Sequence, residues 1–313
     1  MFSVRKLIAA AALAIALPAA ASAADYPDSR MKFVIPFAPG GGSDAVALRI
    51  VRTAAKYTEL PIDLLYMPGG AGVLGAKHVV DSEPVPPLPI LVALSEFITN
   101  PPPDAGYVAE DFDWINSLTV YGIAAVVPPG STETMQSLLE KAKTNPGSVS
   151  LGSLVGGGSD ILAKQFADSG SKFKVVPFTS NGETMLAVLG GHIDIALVSS
   201  GGAMDAMRQN TAKVVAVSLP ERLAAAPDVP TMTEVLGTDL TFGIDRAIFI
   251  QKGVDPQARL FVEELMEKVV NDPDFQKEAN ADGELATYRK GEEFKTYLNG
   301  QLNMLRPLFK KAN

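Results

Sequence analysis

The sequence predicts an α/β protein of two lobes, each a parallel or mixed sheet flanked by helices, with the lobes joined by crossing hinge strands. Three observations carry that prediction. Short apolar runs alternate with helix-patterned stretches along most of the chain, the string GGGSD occurs twice at strand-to-helix junctions, and two long extended stretches bracket the middle. Short apolar strands alternating with helices favour sheets covered on both faces.

In chain order, the apolar runs predict strands over 32–37, 62–66, 89–94, 149–154, 175–178, 193–198 and 214–219. Helical spacing predicts helices over 45–57, 73–80, 134–143 and 184–189, and three polar-rich helical stretches from 256 to 308 with breaks near Pro273 and Gly291. The stretch FDWINSLTVYGIAAVV, 112–127, is extended without a helix between its ends, and 240–251 is extended as well. Two such connections suit a chain that crosses from one lobe to the other and back. They divide it into lobe one, 25–120 with 240–313, and lobe two, 121–239.

The first 24 residues are set apart. Arg5 and Lys6 precede an apolar run from Leu7 to Leu17, followed by small residues ending Ala21-Ser22-Ala23. That order is expected of a secretory signal peptide, and the run is too short to span a bilayer. The expected location is the periplasm, with no membrane insertion after cleavage and with the mature chain a monomer. Cysteine is absent, which excludes thiol catalysis, iron–sulfur clusters and thiolate zinc sites. The formal charge is −8, and loss of the leader removes two positive groups more. An acidic chain without basic clusters is a poor partner for nucleic acid or anionic lipid.

The two GGGSD loops are Gly40-Gly41-Gly42-Ser43-Asp44 and Gly156-Gly157-Gly158-Ser159-Asp160, one in each expected lobe. Glycine lets a ligand approach the backbone amides, and at a helix start those amides join unpaired N–H groups and the positive end of the helix dipole. The combination binds anions. The serines are expected to cap or to donate a hydroxyl; each aspartate is expected to face its own backbone or a ligand donor, since it would repel an anion. A tight turn without a ligand is the alternative for either loop taken alone.

Other chemistries lack their parts. There is no Gly-Lys dipeptide for a phosphate-binding P-loop, and neither glycine loop has the third spaced glycine of a dinucleotide fingerprint. A hydrolytic triad needs a histidine, and only His78 and His192 exist, both in settings that read as structural. No metal-ligand spacing is present. No catalytic residue, cofactor or metal is therefore assigned.

Longer blocks resemble a known family. YPDSRMKFVIPFAPGGGSD, MPGGAGVLGAKHV, GSLVGGGSDILA, VPFTSNGETMLAVLGGHIDIAL and PDVPTMTEVLG follow one another from Tyr26 to about Gly253. In that order they resemble the Bug/TctC family, the periplasmic solute receptors of tripartite tricarboxylate transporters. The resemblance implies a two-lobed periplasmic binding protein of type II-like fold that holds a carboxylate between its lobes and delivers it to membrane transporter subunits. It implicates Pro39, Gly40, Gly41, Gly42, Ser43 and Asp44 from the first loop, and Ser153, Gly156, Gly157, Gly158, Ser159 and Asp160 from the facing one. Asn181-Gly182-Glu183 and Arg246 resemble the tricarboxylate branch, and Thr179, Asn181 and Arg246 are counted among the expected ligand-binding residues. Ile161 stands where many members have histidine, Asp245 where they have tryptophan, and Leu65, Tyr66 and Met67 where they have polar residues. These departures leave the ligand open. Asp245 either changes the ligand charge or pairs with Arg246. A sensor input and an exported enzyme on the same fold are the alternative roles.

Overall fold

The structure is a computed structural model and describes residues 30–310 apart from 86, 100, 155–157 and 238–240. The expected signal peptide lies outside the described residues. In chain order the first elements are β1 (Met31–Ile35), α1 (Gly42–Ala54), β2 (Ile62–Tyr66), α2 (Val73–Asp81), β3 (Pro89–Leu94) and α3 (Ser95–Thr99). The long strand β4 (Phe112–Val127) leads into α4 (Met135–Thr144), β5 (Ser150–Leu154), α5 (Gly158–Asp168), β6 (Lys174–Phe178) and α6 (Asn181–Leu189). Next come β7 (Ile195–Ser199), α7 (Ser200–Arg208), β8 (Lys213–Val217), α8 (Met232–Leu236) and β9 (Gly243–Gln251). The chain closes with α9 (Pro256–Val270), α10 (Pro273–Ala281), β10 (Glu284–Ala286) and α11 (Gly291–Lys310).

Local signals account for these boundaries. β1 stops at Ile35, two residues short of the predicted end, because Pro36 has no N–H to continue the ladder. α9 and α10 each begin with Asp-Pro: Asp255 accepts from the amides of Gln257 and Ala258, Asp272 accepts from those of Asp274 and Phe275, and proline fills the first helical position. Thr134 and Thr231 cap α4 and α8 with a reciprocal bond from the third helical residue. The predicted breaks near Pro273 and Gly291 are present, with β10 added between them.

The sheets are mixed. β2, β1 and β3 run parallel, β9 joins β3 antiparallel, and β4 joins β9 antiparallel from Phe112 to Gly122. Beyond Gly122 β4 changes partners: Ile123–Val126 pair with β7 and Ala124–Val127 with β8, both antiparallel, while β5 runs parallel to β6 and β7. One strand therefore runs through both halves of a two-lobed molecule. Separate cores lie on the two faces of each half. Phe33, Ile50, Ile90 and Met266 mark one core of the first half, and Leu91, Trp114, Phe249 and Phe294 the other. In the second half, Leu138, Leu151, Ile161 and Phe166 lie on one face, with Val188, Val198, Met204 and Val217 on the other.

The lobes also touch through the turn between α10 and β10. The Ser200 hydroxyl donates to the Gly283 carbonyl at 2.6 Å and accepts from the Gly122 amide at 3.0 Å. Gly283 has φ +76° and lies where an added Cβ would come within 2.7 Å of the Ser200 carbonyl, so only glycine fits this crossing.

A cleft lined by helix N-termini and a buried arginine

The first glycine loop is held from behind. Asp44, in the first turn of α1, accepts the Gly40 amide at 2.7 Å through Oδ2 and the Tyr66 hydroxyl at 2.6 Å through Oδ1. Its carboxylate thus faces its own backbone, as expected, and pushes the Tyr66 hydroxyl up to about 12. Gly40 turns the chain with φ +85°, and Gly41 caps α1 without any side-chain bond. Ser43 lies buried inside the first turn and does not cap it. The N–H groups of that turn have no helical acceptor, and Gly40, Gly41 and Gly42 line the cleft.

Arg246 enters from β9 and is only 7 % exposed. Its Nη1 donates to Glu284, the first residue of β10, and its guanidinium covers the Tyr121 ring at 4.6 Å from the centroid. A Cβ at Gly42 would overlap Arg246 Nη2, so the glycine permits the arginine to lie against the loop. Behind this pair, the buried Arg49 bonds Asp282 at 2.6 Å and approaches Glu284 at 3.7 Å and Glu278 at 3.8 Å. Asp245 does not pair with Arg246. Adjacent residues of a strand point to opposite faces, and Asp245 is 1 % exposed with no hydrogen-bond partner for either oxygen. Burial, opposed by Arg289 and aided by Glu96, pushes its carboxyl up to about 7.

From the second half, α6 and α7 direct their N-termini at the same space. Asn181 opens α6, while Ser199, Gly201 and Gly202 stand at the start of α7. Asp205 of α7 lines the same cavity and is bonded by Arg208. The cavity holds about 450 Å³, a size suited to a small metabolite.

The predicted residues divide into groups. Gly40, Gly41, Gly42, Asn181 and Arg246 are brought together at this cavity. Pro39 is exposed beside it. Thr179 bonds Glu183 through its amide at 3.2 Å and its hydroxyl at 2.6 Å, an arrangement that lowers the Glu183 carboxyl and fixes the start of α6. Gly156 and Gly157 lie outside the described residues. Ser153 is buried; Gly158 packs where a Cβ would overlap the Phe242 ring; the Ser159 hydroxyl accepts the Leu154 amide at 2.8 Å; Asp160 pairs with Lys164 at 3.1 Å. Of these only Ser159 ties α5 to the end of β5, and none of the four is among the residues lining the cavity. Tyr121, Ser199, Gly201, Gly202, Asp205, Asp282 and Glu284 line it without having been anticipated. The run Ser199-Ser200-Gly201-Gly202, a third small-residue junction after an apolar strand, is the signal that points to α7.

A second cavity, of about 500 Å³, lies on the outer side of the second half. Its charges answer one another: Glu133 takes Lys141 and Ser137, and Asp194 takes Ser150. Among the described residues, no group of three or more His, Cys, Asp or Glu side chains is placed to hold a metal ion, and no helix is long and apolar enough to cross a membrane.

Comparison with known proteins bears on the family and the fold. The sequence model described as the tripartite tricarboxylate transporter family receptor, TctC, matches residues 51–313. Protein BugT of Bordetella pertussis is 24% identical over 253 residues, 77% of this chain and 76% of its own. A TctC solute binding protein from Polaromonas superposes with a TM-score of 0.75 at 23% identity, over 92% of this chain and 100% of that one. An R. palustris protein solved with adipate gives a TM-score of 0.73 at 14% identity, over 92% and 98%. MatC from Rhodopseudomonas palustris, solved with malate, gives 0.65 at 20% identity, over 91% and 100%. At these identities the solved structures speak for the two-lobed fold.

Proposed function

This chain belongs to the tripartite tricarboxylate transporter receptor family, and from that premise we propose that it captures a small carboxylate in the cleft and delivers it to membrane transporter subunits. One observation carries the reading: the N-termini of α1, α6 and α7 and the guanidinium of Arg246 converge on one cavity between the lobes. Unpaired amides at helix starts stabilise a carboxylate, and charge-assisted bonds contribute about 1.5–3 kcal/mol each. A handful of them, less the ordering costs, reach the ~8 kcal/mol of a micromolar complex. The relatives solved with adipate and with malate support the ligand class.

The residues assigned to binding are Gly40, Gly41, Gly42, Asn181 and Arg246, with the start of α7. Lobe one comprises 25–120 and 240–313 and lobe two 121–239. The change of partners along β4 after Gly122 and the start of β9 at Gly243 support those boundaries. The receptor works in the periplasm after removal of residues 1–24. It acts as a monomer without a catalytic step, closing on its ligand and presenting it to the transporter.

A thermal-shift screen of the purified protein against mono-, di- and tricarboxylates, sugars and simple cations tests the reading. A carboxylate raises the melting temperature; stabilisation by neutral sugars or cations alone removes the proposal.

A further inference from the structure

We infer that Tyr66 is a positioning residue for the ligand: by holding Asp44 from outside the cleft, it keeps the Gly41 amide free to meet a carboxylate. The inference rests on the carboxylate reading above and adds to it a residue that touches no ligand.

Neither Tyr66 nor Asp44 is among the residues lining the cavity, whereas Gly40, Gly41, Gly42 and Ala45 are. Asp44 is only 7 % exposed and is the third residue of α1, with Gly41 as the cap. An acid at that position reaches back to the amide of the capping residue when it completes a capping box. Here it does not. Both oxygens are committed elsewhere, Oδ2 to the Gly40 amide at 2.7 Å and Oδ1 to the Tyr66 hydroxyl at 2.6 Å. Among the described residues no acceptor takes the Gly41 amide, which stands with the unpaired N–H groups of the first turn.

The place of Tyr66 is fixed by the sheet. It ends β2, in register with Ile35 of β1, and its ring packs against the core around Phe33 and Ile50. The bond to Asp44 pushes its hydroxyl up to about 12, so it remains a donor at physiological pH. Without that hydroxyl, Oδ1 is a buried carboxylate oxygen with no donor, an unfavourable state. The free N–H groups of its own helix turn relieve it, in the geometry of the capping box. A carboxylate of the chain then takes a donor that a ligand needs, and its negative charge moves toward the cleft and offsets the helix dipole there.

Titration calorimetry with succinate, malate and adipate tests this on the parent, Tyr66→Phe, Asp44→Ala and the double variant, each with unchanged circular dichroism. Tyr66→Phe keeps the ring and its packing. It is expected to weaken the tightest-binding of the three acids about tenfold, the effect of one charge-assisted bond. With Asp44→Ala already present there is no carboxylate to release, so Tyr66→Phe is expected to change affinity by less than about twofold. Amide spectra of the unliganded, nitrogen-15-labelled protein give a readout that a merely structural role would not move. The Gly41 proton is expected to shift downfield in Tyr66→Phe, as the Asp44 carboxylate takes it, and Tyr66→Phe is expected to leave it in place when Asp44→Ala is present. Parent-like affinity or an unmoved Gly41 resonance in Tyr66→Phe overturns the proposal, and so does a loss of affinity that persists in the Asp44→Ala background. Each of these leaves the carboxylate reading standing. Failure of all three acids to bind the parent overturns both.

Discussion

Arg246 lies over Gly42 with one guanidinium nitrogen in the space that a Cβ would occupy, so β9 and the first turn of α1 meet as one surface. Gly42→Ala must displace the arginine from Glu284, from the loop, or from both. At Gly41 the nearest atom to an added Cβ is the Ala38 carbonyl oxygen at 3.7 Å, and the backbone is extended, so Gly41→Ala fits without rearrangement. Gly42→Ala is expected to weaken carboxylate binding about tenfold, or ~1.4 kcal/mol, and Gly41→Ala by less. Calorimetry on variants with unchanged circular dichroism decides it; parent-like affinity in Gly42→Ala detaches the arginine from the ligand.

Lysine at 246 keeps the charge and loses the fork. One ammonium cannot serve Glu284 and a ligand carboxylate with the same planar geometry, nor stack on Tyr121 in the same way. Arg246→Lys is therefore expected to lower affinity about tenfold. It is also expected to leave the ligand-saturated protein with a larger radius of gyration, because a ligand shifts closure only by its preference for the closed form. Solution scattering at saturating ligand reads this directly. A variant that binds and compacts like the parent makes the arginine structural.

Asp245 makes stability depend on pH in an unusual direction. Its carboxyl titrates near pH 7 when folded and near 3.8 as a free side chain, so the unfolded chain ionises first. The native state is favoured by this group below the ordinary carboxylate range, and that advantage is lost as pH rises toward 7. With about 1.4 kcal/mol for each unit of difference, Asp245→Asn is expected to be more stable than the parent by a few kcal/mol at pH 8. Near pH 4 the two should be similar. Urea denaturation at both values is the measurement. A gap that does not grow with pH means that Asp245 has a partner in solution.

The alternation of strand and helix was legible because β1, β2 and β5 are short apolar runs followed by proline- or glycine-rich segments, and β3 is one that passes straight into α3. The segment joining β1 to α1 stands out by its three glycines, Gly40–Gly42, which line the cleft. Arg246 was recognisable from its surrounding motif, but its partner was not. Glu284 lies 38 residues away on a three-residue strand preceded by Gly283, in a tail whose helical spacing hides the interruption. Asp282 is likewise an ordinary polar residue until the fold sets Arg49 against it. The face of Asp245 depends on the pleat of β9, which adjacency in sequence cannot supply. The repeated GGGSD also conceals a difference: Gly42 makes room for an arginine and Gly158 for the Phe242 ring, so identical letters serve unlike neighbours.

The position of β9 between β3 and β4 constrains the order in which the chain can assemble. Residues 89–94 and 112–122 have no ladder to each other, and both await residues 243–251. The ladders among β5, β6, β7, β8 and the last residues of β4 involve only residues before 218, although Thr231, Met232 and Phe242 complete that half. Long-range pairing of this kind is slow, and a half-finished sheet presents open edges to other chains. Until residues 243–251 are made, the edges of β3 and β4 that β9 will cover have no partner strand, while β2, β1 and β3 can already pair with one another.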